Sequence, residues 1–333
     1  MPVAQSTRAD VSPVETLHAL VAADMRATDV LIHERLASAV ALIPDLAKHL
    51  IDSGGKRLRP LLTLAAAQMG GYRGQQHAKL AAAVEFIHTA TLLHDDVVDE
   101  SSLRRGKVSA NIVWGNKASV LVGDFLFSRA FELMVETGEL KVLGILASAS
   151  SIISEGEVMQ LKSAGNLACG EDHYLRVVSA KTAALFAAAA ESGAVIAGGE
   201  QADAMRDYGQ NLGIAFQLVD DALDYSGRQA LMGKAVGDDF REGKVTLPVI
   251  LAVARADEAA LKFWKRAIET GPQSEADLDR AITLVEQTGG IADTMERARS
   301  YAALACQALT RLPKSELRDV LADVADFCVA RAY

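Results

Sequence analysis

The stretch Leu92-Leu93-His94-Asp95-Asp96-Val97-Val98-Asp99-Glu100 closes an Ala-rich apolar segment that begins at Gln75. A helix turns about 100° per residue, so Asp95 and Asp99 share one face with Asp96 beside them, and three carboxylates converge at the end of an apolar rod. Such a cluster repels itself unless cations occupy it. The apolar surface behind it runs most of the way round, which marks a helix at the centre of a bundle. The same spacing returns far downstream in Phe216-Gln217-Leu218-Val219-Asp220-Asp221-Ala222-Leu223-Asp224, again at the end of an apolar run.

Working outward, half of the 333 residues are apolar and Ala is very frequent, while β-branched and aromatic runs at strand spacing are scarce. The fold class expected is all-α, with a large core. Helical spacing runs from Val14 to Ala41 until Pro44 breaks it, and a short helix follows to Ile51. Asp52 to Pro60 reads as a loop by its glycines, opening a helix from Leu61 to Met69. Further helices are expected over Lys117–Glu136, Lys141–Leu161, Tyr174–Ala197 and Ala202–Tyr225. The Gly- and charge-rich segment Ser226 to Lys244 reads as a long functional loop. Four helices are expected from Val245 to Tyr333, broken near Gly271-Pro272, Gly289-Gly290 and Leu312-Pro313. The length prior would permit two domains, but large helical folds reach this size, and the reading is one domain over 1–333 with residues 1–10 disordered.

With 43 acidic against 34 basic residues and a net charge of -9, a nucleic-acid partner is not expected. Cys169, Cys306 and Cys328 lack the paired spacing of zinc sites or disulfide frameworks, which fits a reducing cytoplasm. The N-terminus does not look like a secretory signal. Uncharged apolar runs such as Val142 to Ser154 or Thr182 to Ala190 fall short of the ~18 residues that span a bilayer. The expectation is a soluble, cytoplasmic protein that a greasy product could bring transiently to a membrane.

Oxygen ligands at this density suit Mg²⁺, a hard cation that usually bridges carboxylates to substrate phosphates, so a diphosphate is the expected partner. A single Asp-Asp-x-x-Asp is more simply a solvated helix end; two copies with basic residues nearby favour a site. Lys56 and Arg59 follow two glycines before a helix, where backbone N–H groups favour an anion. Arg104 and Arg105 follow the first cluster, and Lys181, Lys234 and Lys244 recur near the second. Together these cations suit two separate diphosphates. His88 lies two helical turns before Asp95 on nearly the same face and is either a satisfied core residue or an anion ligand; His94 points off that face and receives no role. A rival reading comes from Glu85-Phe86-Ile87-His88 and Glu15-Thr16-Leu17-His18, which have the Glu-x-x-His spacing of di-iron bundles, but it gives the aspartates no task.

With Gly54-Gly55-Lys56-Arg57-Leu58-Arg59-Pro60, both aspartate motifs, Arg104-Arg105-Gly106, Lys181-Thr182, Phe216-Gln217 and Gly237-Asp238-Asp239 through Lys244, the chain resembles the trans-polyprenyl diphosphate synthases over about residues 50 to 250. The resemblance implies an isoprenoid-synthase-type helical bundle around a deep central cavity, assembled as a homodimer. It implies that three Mg²⁺ hold an allylic diphosphate, such as farnesyl diphosphate, between the clusters; loss of diphosphate leaves an allylic cation that isopentenyl diphosphate attacks. Carried over, Asp95, Asp96, Asp99, Asp220, Asp221 and Asp224 would ligate metal. Arg104, Lys181, Gln217, Lys234 and Lys244 would surround the allylic diphosphate, and Lys56, Arg59, His88 and Arg105 would bind isopentenyl diphosphate. The main chain at Lys181 and the hydroxyl of Thr182 would steady the cation, with the leaving diphosphate as base.

In this family short-chain enzymes place bulky side chains four or five residues before the first aspartate, where this chain has Thr91 and Ala90, with Ile87 one turn earlier. On an ideal helix Thr91, His88, Val84 and Ala81 continue the Asp95 face, so the passage is expected to be open, its floor set from a facing helix by Phe127, Phe131 or Met134. From Gln76 to Asp99 the helix would be roughly 35 Å long, and an isoprene unit extends on the order of 5 Å. The resemblance therefore points to an octaprenyl to decaprenyl product, best decaprenyl, as a respiratory-quinone side chain. The alternatives are a shorter-chain synthase, a terpene cyclase, which would not need Lys56, Arg59 and Arg105, and a non-catalytic regulatory subunit, which would be expected to have eroded a cluster.

Overall fold

The computed structural model describes residues 11–51, 54–104, 106–226, 237–271 and 273–330; the expectation for residues 1–10 lies outside them. At the N-terminus the expected single helix is two, α1 (Pro13–Leu20) and α2 (Ala22–Arg35). Ser12 and Glu15 cap α1 reciprocally, and Pro13 stands where its missing N–H costs nothing. Pro44 does not break the second helix, which has already ended at Arg35. It lies in the first turn of α3 (Leu42–Ile51), a position that needs no N–H donor.

The next helix, α4 (Leu58–Met69), starts three residues before the expected Leu61, so Arg59 and Pro60 belong to its first turn. Its N-cap, Arg57, has φ 43°, a left-handed conformation unusual outside glycine, and an ion pair with Asp29 holds its guanidinium. Next comes α5 (Gln76–Val98), which carries the first cluster, then a hairpin of β1 (Leu103–Arg104) and β2 (Lys107–Val108) that periodicity did not predict. The chain continues through α6 (Ala110–Trp114), α7 (Asn116–Glu136), α8 (Leu140–Ser163) and α9 (Glu171–Val178). A π turn over Ser179–Ala183 joins α9 to α10 (Ala184–Ile196), and α11 (Ala202–Asp224) carries the second cluster.

Beyond it lie α12 (Asp238–Arg241), α13 (Leu247–Ala254), α14 (Glu258–Trp264) with a second π turn at Lys265–Thr270, α15 (Glu275–Gln287), α16 (Gly290–Leu309) and α17 (Glu316–Ala330). From Val245 onward there are thus five described helices, not the four expected. The extra break falls at Asp257, whose carboxylate accepts the Ala260 N–H at 2.8 Å and so starts a new helix.

At the centre lies α10, apolar nearly all round, packed on α4, α5, α8 and α11. Through it α5 and α11 are held in one bundle, which brings the two acidic ends together. The main apolar core runs through α1–α8, α10, α11, α16 and α17, while smaller cores form under α9, α11, α13 and α16 and around Trp264.

Candidate active site

Each aspartate of the first cluster has its own cationic partner. Asp96 is fully buried at 0% exposure, and Arg104 from β1 donates to its Oδ1 through Nε at 2.7 Å and Nη2 at 2.5 Å. The Lys181 ammonium stands 3.6 Å from Asp95, and that of Lys244 stands 2.9 Å from Asp99. The expected convergence of three carboxylates is therefore incomplete. Asp95 and Asp99 meet lysines from the opposite wall, whereas Asp96 turns towards the hairpin. Arg104, expected beside the allylic diphosphate, is paired with Asp96 because burial of that carboxylate demands a neutralising donor. Burial pushes Asp96 above the ordinary carboxylate range against the pull of Arg104, and its Oδ2 has no hydrogen-bond partner.

The second cluster is satisfied mainly by neutral donors. Asp221 accepts the Tyr174 hydroxyl at 2.5 Å and the Gln217 amide at 2.6 Å. The Asp224 carboxylate accepts the backbone N–H groups of Asp238 and Asp239 at 3.3 and 3.0 Å, tying α11 to the start of α12. Burial holds Asp221 well above its usual range, with Asp239 adding to it, and brings Asp224 to about 7. Asp220 stands half-buried beside them. A chain of contacts links the clusters: Asp99 to the Lys244 ammonium, the Lys244 N–H to the Asp239 carbonyl at 2.8 Å, and the Asp239 N–H to Asp224.

Lys181 and Thr182 lie in the π turn, and close packing explains how it is held. A Cβ on Gly156 of α8 would come within 2.8 Å of the Lys181 nitrogen, and one on Gly213 of α11 within 2.6 Å of the Ala183 Cα. Only glycine lets both helices touch the turn, which presents Lys181 to one side and Thr182 to the other. The Thr182 hydroxyl donates to the Gln217 Oε1 at 2.8 Å, which joins two of the expected site residues directly. A cavity of about 120 Å³ opens here, lined among others by Tyr174, Lys181, Thr182, Gln217, Asp221 and Lys244.

Sequence reasoning passed over Glu157. It projects from α8 and binds the Lys181 ammonium at 2.7 Å, while its other oxygen is buried without a hydrogen-bond partner. Burial, with Asp95 nearby, brings it to about 7. Burial works to lower Lys181 and Lys244, but their acidic neighbours win and both lie above the ordinary lysine value. Glu242, a second contact of the Lys244 ammonium, and Tyr174 were also missed. No local motif marks any of the three; only the meeting of separate elements does.

Of the expected isopentenyl diphosphate residues, Arg59 donates to His88 Nε2 at 3.2 Å, and the Lys56 ammonium lies 5.3 Å above the Phe327 ring of α17. Arg105 and Lys234 lie outside the described residues. On α5, Thr91 is half-buried, with its hydroxyl donating to the His88 carbonyl at 2.8 Å. Ala90 and Ile87 are fully packed in the main core and do not line the 120 Å³ cavity, because their small and medium side chains admit neighbouring helices. Among the expected floor residues Met134 is buried and Phe127 stacks on His94, but Phe131 is 41% exposed and faces outward.

No group of three or more potential ligands among the described residues forms a ready metal cage. The donor set nevertheless fits Mg²⁺, which favours carboxylate oxygen and is commonly held by one or two carboxylates together with substrate phosphates. Asp95 and Asp99 of α5, with Asp220 and Asp224 of α11 linked to them through Lys244 and Asp239, would supply those oxygens. The partnerless Glu157 oxygen adds unsatisfied negative character beside them.

A family model described as Polyprenyl synthetase matches residues 40–285. The chain is 43% identical to octaprenyl diphosphate synthase of Escherichia coli K12 over 320 residues, covering 96% of this chain and 99% of that one. Among solved structures it is similar to a polyprenyl synthase from Caulobacter crescentus complexed with calcium and isoprenyl diphosphate, at 54% identity and TM-score 0.94, covering 97% of this chain and 99% of that one. It is also similar to a decaprenyl diphosphate synthase from Rhodobacter capsulatus, at 55% identity and TM-score 0.93, covering 96% and 100%.

Proposed function

The chain belongs to the polyprenyl synthetase family of prenyltransferases, and from that premise we propose that it is a long-chain trans-polyprenyl diphosphate synthase adding isopentenyl diphosphate to an allylic diphosphate such as farnesyl diphosphate. The observation that carries this reading is the pair of lysines, Lys181 and Lys244, set between two acidic clusters at one cavity. Asp95, Asp99, Asp220 and Asp224 are the proposed metal ligands, with Asp96 and Asp221 as buried supports fixed by Arg104 and Tyr174. Three Mg²⁺ are proposed per site; bound there, they would supply positive charge to the departing diphosphate. Lys181 and Lys244 would exchange their carboxylate partners for diphosphate oxygens, and Thr182 with Gln217 would turn oxygen lone pairs towards the allylic cation. The apolar wall behind α5 would keep water from that cation. Arg59, His88 and Lys56 would hold isopentenyl diphosphate, and Arg105 and Lys234 are proposed contacts by resemblance.

The product proposed is octaprenyl to decaprenyl, best decaprenyl, a side chain for a respiratory quinone. Similarity to octaprenyl and decaprenyl synthases supports it. A single domain acting as a cytoplasmic homodimer is also proposed, with transient membrane contact on product release. Support for the dimer comes from exposed apolar side chains on α7 and α8, including Leu121, Val135, Leu140, Val158 and Leu161. By length and composition α8 could span a membrane, yet it places Glu157 in the site, and a second subunit is the occupant that suits its outer face.

The deciding experiment incubates the protein with farnesyl diphosphate, labelled isopentenyl diphosphate and Mg²⁺, then sizes the dephosphorylated product by chromatography. Products of eight to ten units are expected; termination at three or four units would overturn the long-chain reading.

A further inference from the structure

The Phe186 ring lies in the middle of the bundle at 1% exposure, yet it does not simply fill space. The Arg59 guanidinium carbon stands 4.3 Å from its centroid, and the same guanidinium donates to His88 Nε2 at 3.2 Å. An arginine can only donate, so the histidine nitrogen is the acceptor and the ring face is the second, purely electrostatic support. Arg59 is thus gripped between α5 and α10 while it stands in the first turn of α4.

The ring itself has little freedom. Gly213 brings α11 so close that a Cβ there would lie 3.2 Å from the Phe186 Cβ, and Phe216 packs against the ring at 5.6 Å with a 39° tilt. Phe216 directly precedes Gln217, the neighbour of Thr182. The aromatic pair therefore spans from the cavity with the lysines to the guanidinium on α4.

From this geometry we infer that Phe186 is the positioning residue for isopentenyl diphosphate: its ring face holds the Arg59 guanidinium in the orientation that meets the diphosphate. The inference rests on the proposed role of Arg59. An arginine without that face retains its charge but loses the fixed plane that makes its donors geometrically selective. The cost should fall on binding of one substrate, not on ionisation of the other.

The test uses Phe186→Met, which keeps apolar volume without an aromatic face, Phe186→Tyr, which keeps the face, and Arg59→Gln. For Phe186→Met the KM for isopentenyl diphosphate should rise roughly tenfold, with kcat and the KM for farnesyl diphosphate nearly unchanged; Phe186→Tyr should recover most of the loss. In the Phe186→Met/Arg59→Gln double variant the methionine should add little, since its effect passes through the arginine. Equal rises in both KM values, or full additivity in the double variant, would overturn the inference and leave the proposed function standing. An unchanged isopentenyl diphosphate KM in Arg59→Gln would overturn both the inference and the role given to Arg59. Thermal melting of each variant shows whether it is folded.

Discussion

The two acidic clusters share one spacing and tolerate their charge by opposite means. Around Asp95, Asp96 and Asp99 stand Lys181, Arg104 and Lys244, each a side-chain cation from another element. Around Asp221 and Asp224 stand a phenol, an amide and two backbone N–H groups. A lysine on a flexible stem can leave its carboxylate for another anion, whereas a donor fixed in a helix cannot. The difference teaches that one jaw is built to exchange partners and the other to hold still.

The largest effect expected follows from removing an exchangeable partner. Asp95→Ala or Asp99→Ala should lower kcat/KM roughly 10²- to 10³-fold, while the melting temperature stays close to that of the parent. Steady-state kinetics with labelled isopentenyl diphosphate checks this; retained turnover would remove Asp95 and Asp99 from the ligand set.

Stability should separate the buried supports. Asp96→Ala leaves Arg104 without its partner and should cost about 3–5 kcal/mol. Asp221→Ala strands neutral donors and should cost about 1–3 kcal/mol. Urea denaturation of the metal-free variants checks the ranking, and the reverse order would undo the contrast between the jaws.

The sequence made part of this contrast legible. Both clusters and their helices could be read because i, i+4 spacing is local, and Thr182 and Gln217 entered the site through the resemblance, without the hydrogen bond that joins them. What stayed hidden depends on contacts between elements far apart in the chain. Glu157 looks like any polar residue of an amphipathic helix until α8 crosses the π turn at Gly156. The pairing of Asp96 with Arg104 required the hairpin, two residues a side and below the reach of periodicity. The Pro44 break was misplaced because proline opens a helix as readily as it ends one. The open passage below Ala90 was argued from small side chains alone, which equally well allow helices to close in.

Acidity offers a finer probe of the same contrast. Glu157 and Asp224 lie near 7 in the folded protein against ordinary values of 4.5 and 3.8. Folding therefore holds protons that the unfolded chain has already released, so the stabilisation is full below the ordinary values and is lost as pH rises towards 7. Chelator-treated protein should melt higher at about pH 5 than at about pH 8, and Mg²⁺ with inorganic diphosphate should narrow the gap. A metal-free melting temperature that rises across that interval would contradict the burial assigned to these two carboxylates.

The smallest effect is expected away from both jaws. Arg35 and Glu136 pair at 2.6 Å while both remain partly exposed. Arg35→Ala should cost no more than about 1 kcal/mol and leave turnover untouched. A larger loss of turnover would show that the clusters are not insulated from that surface.

The π turn at Ser179–Ala183 carries one residue more than a regular turn would. The surplus residue is held inside the helix instead of being expelled into a loop. Deleting Ala180 would let residues 171–196 run as one regular helix, but everything beyond would swing by about 100° relative to what precedes it. Tyr174 and Phe186 could not then both keep their bearings. A change of length, harmless in most surface turns, would here displace both ends of the site at once.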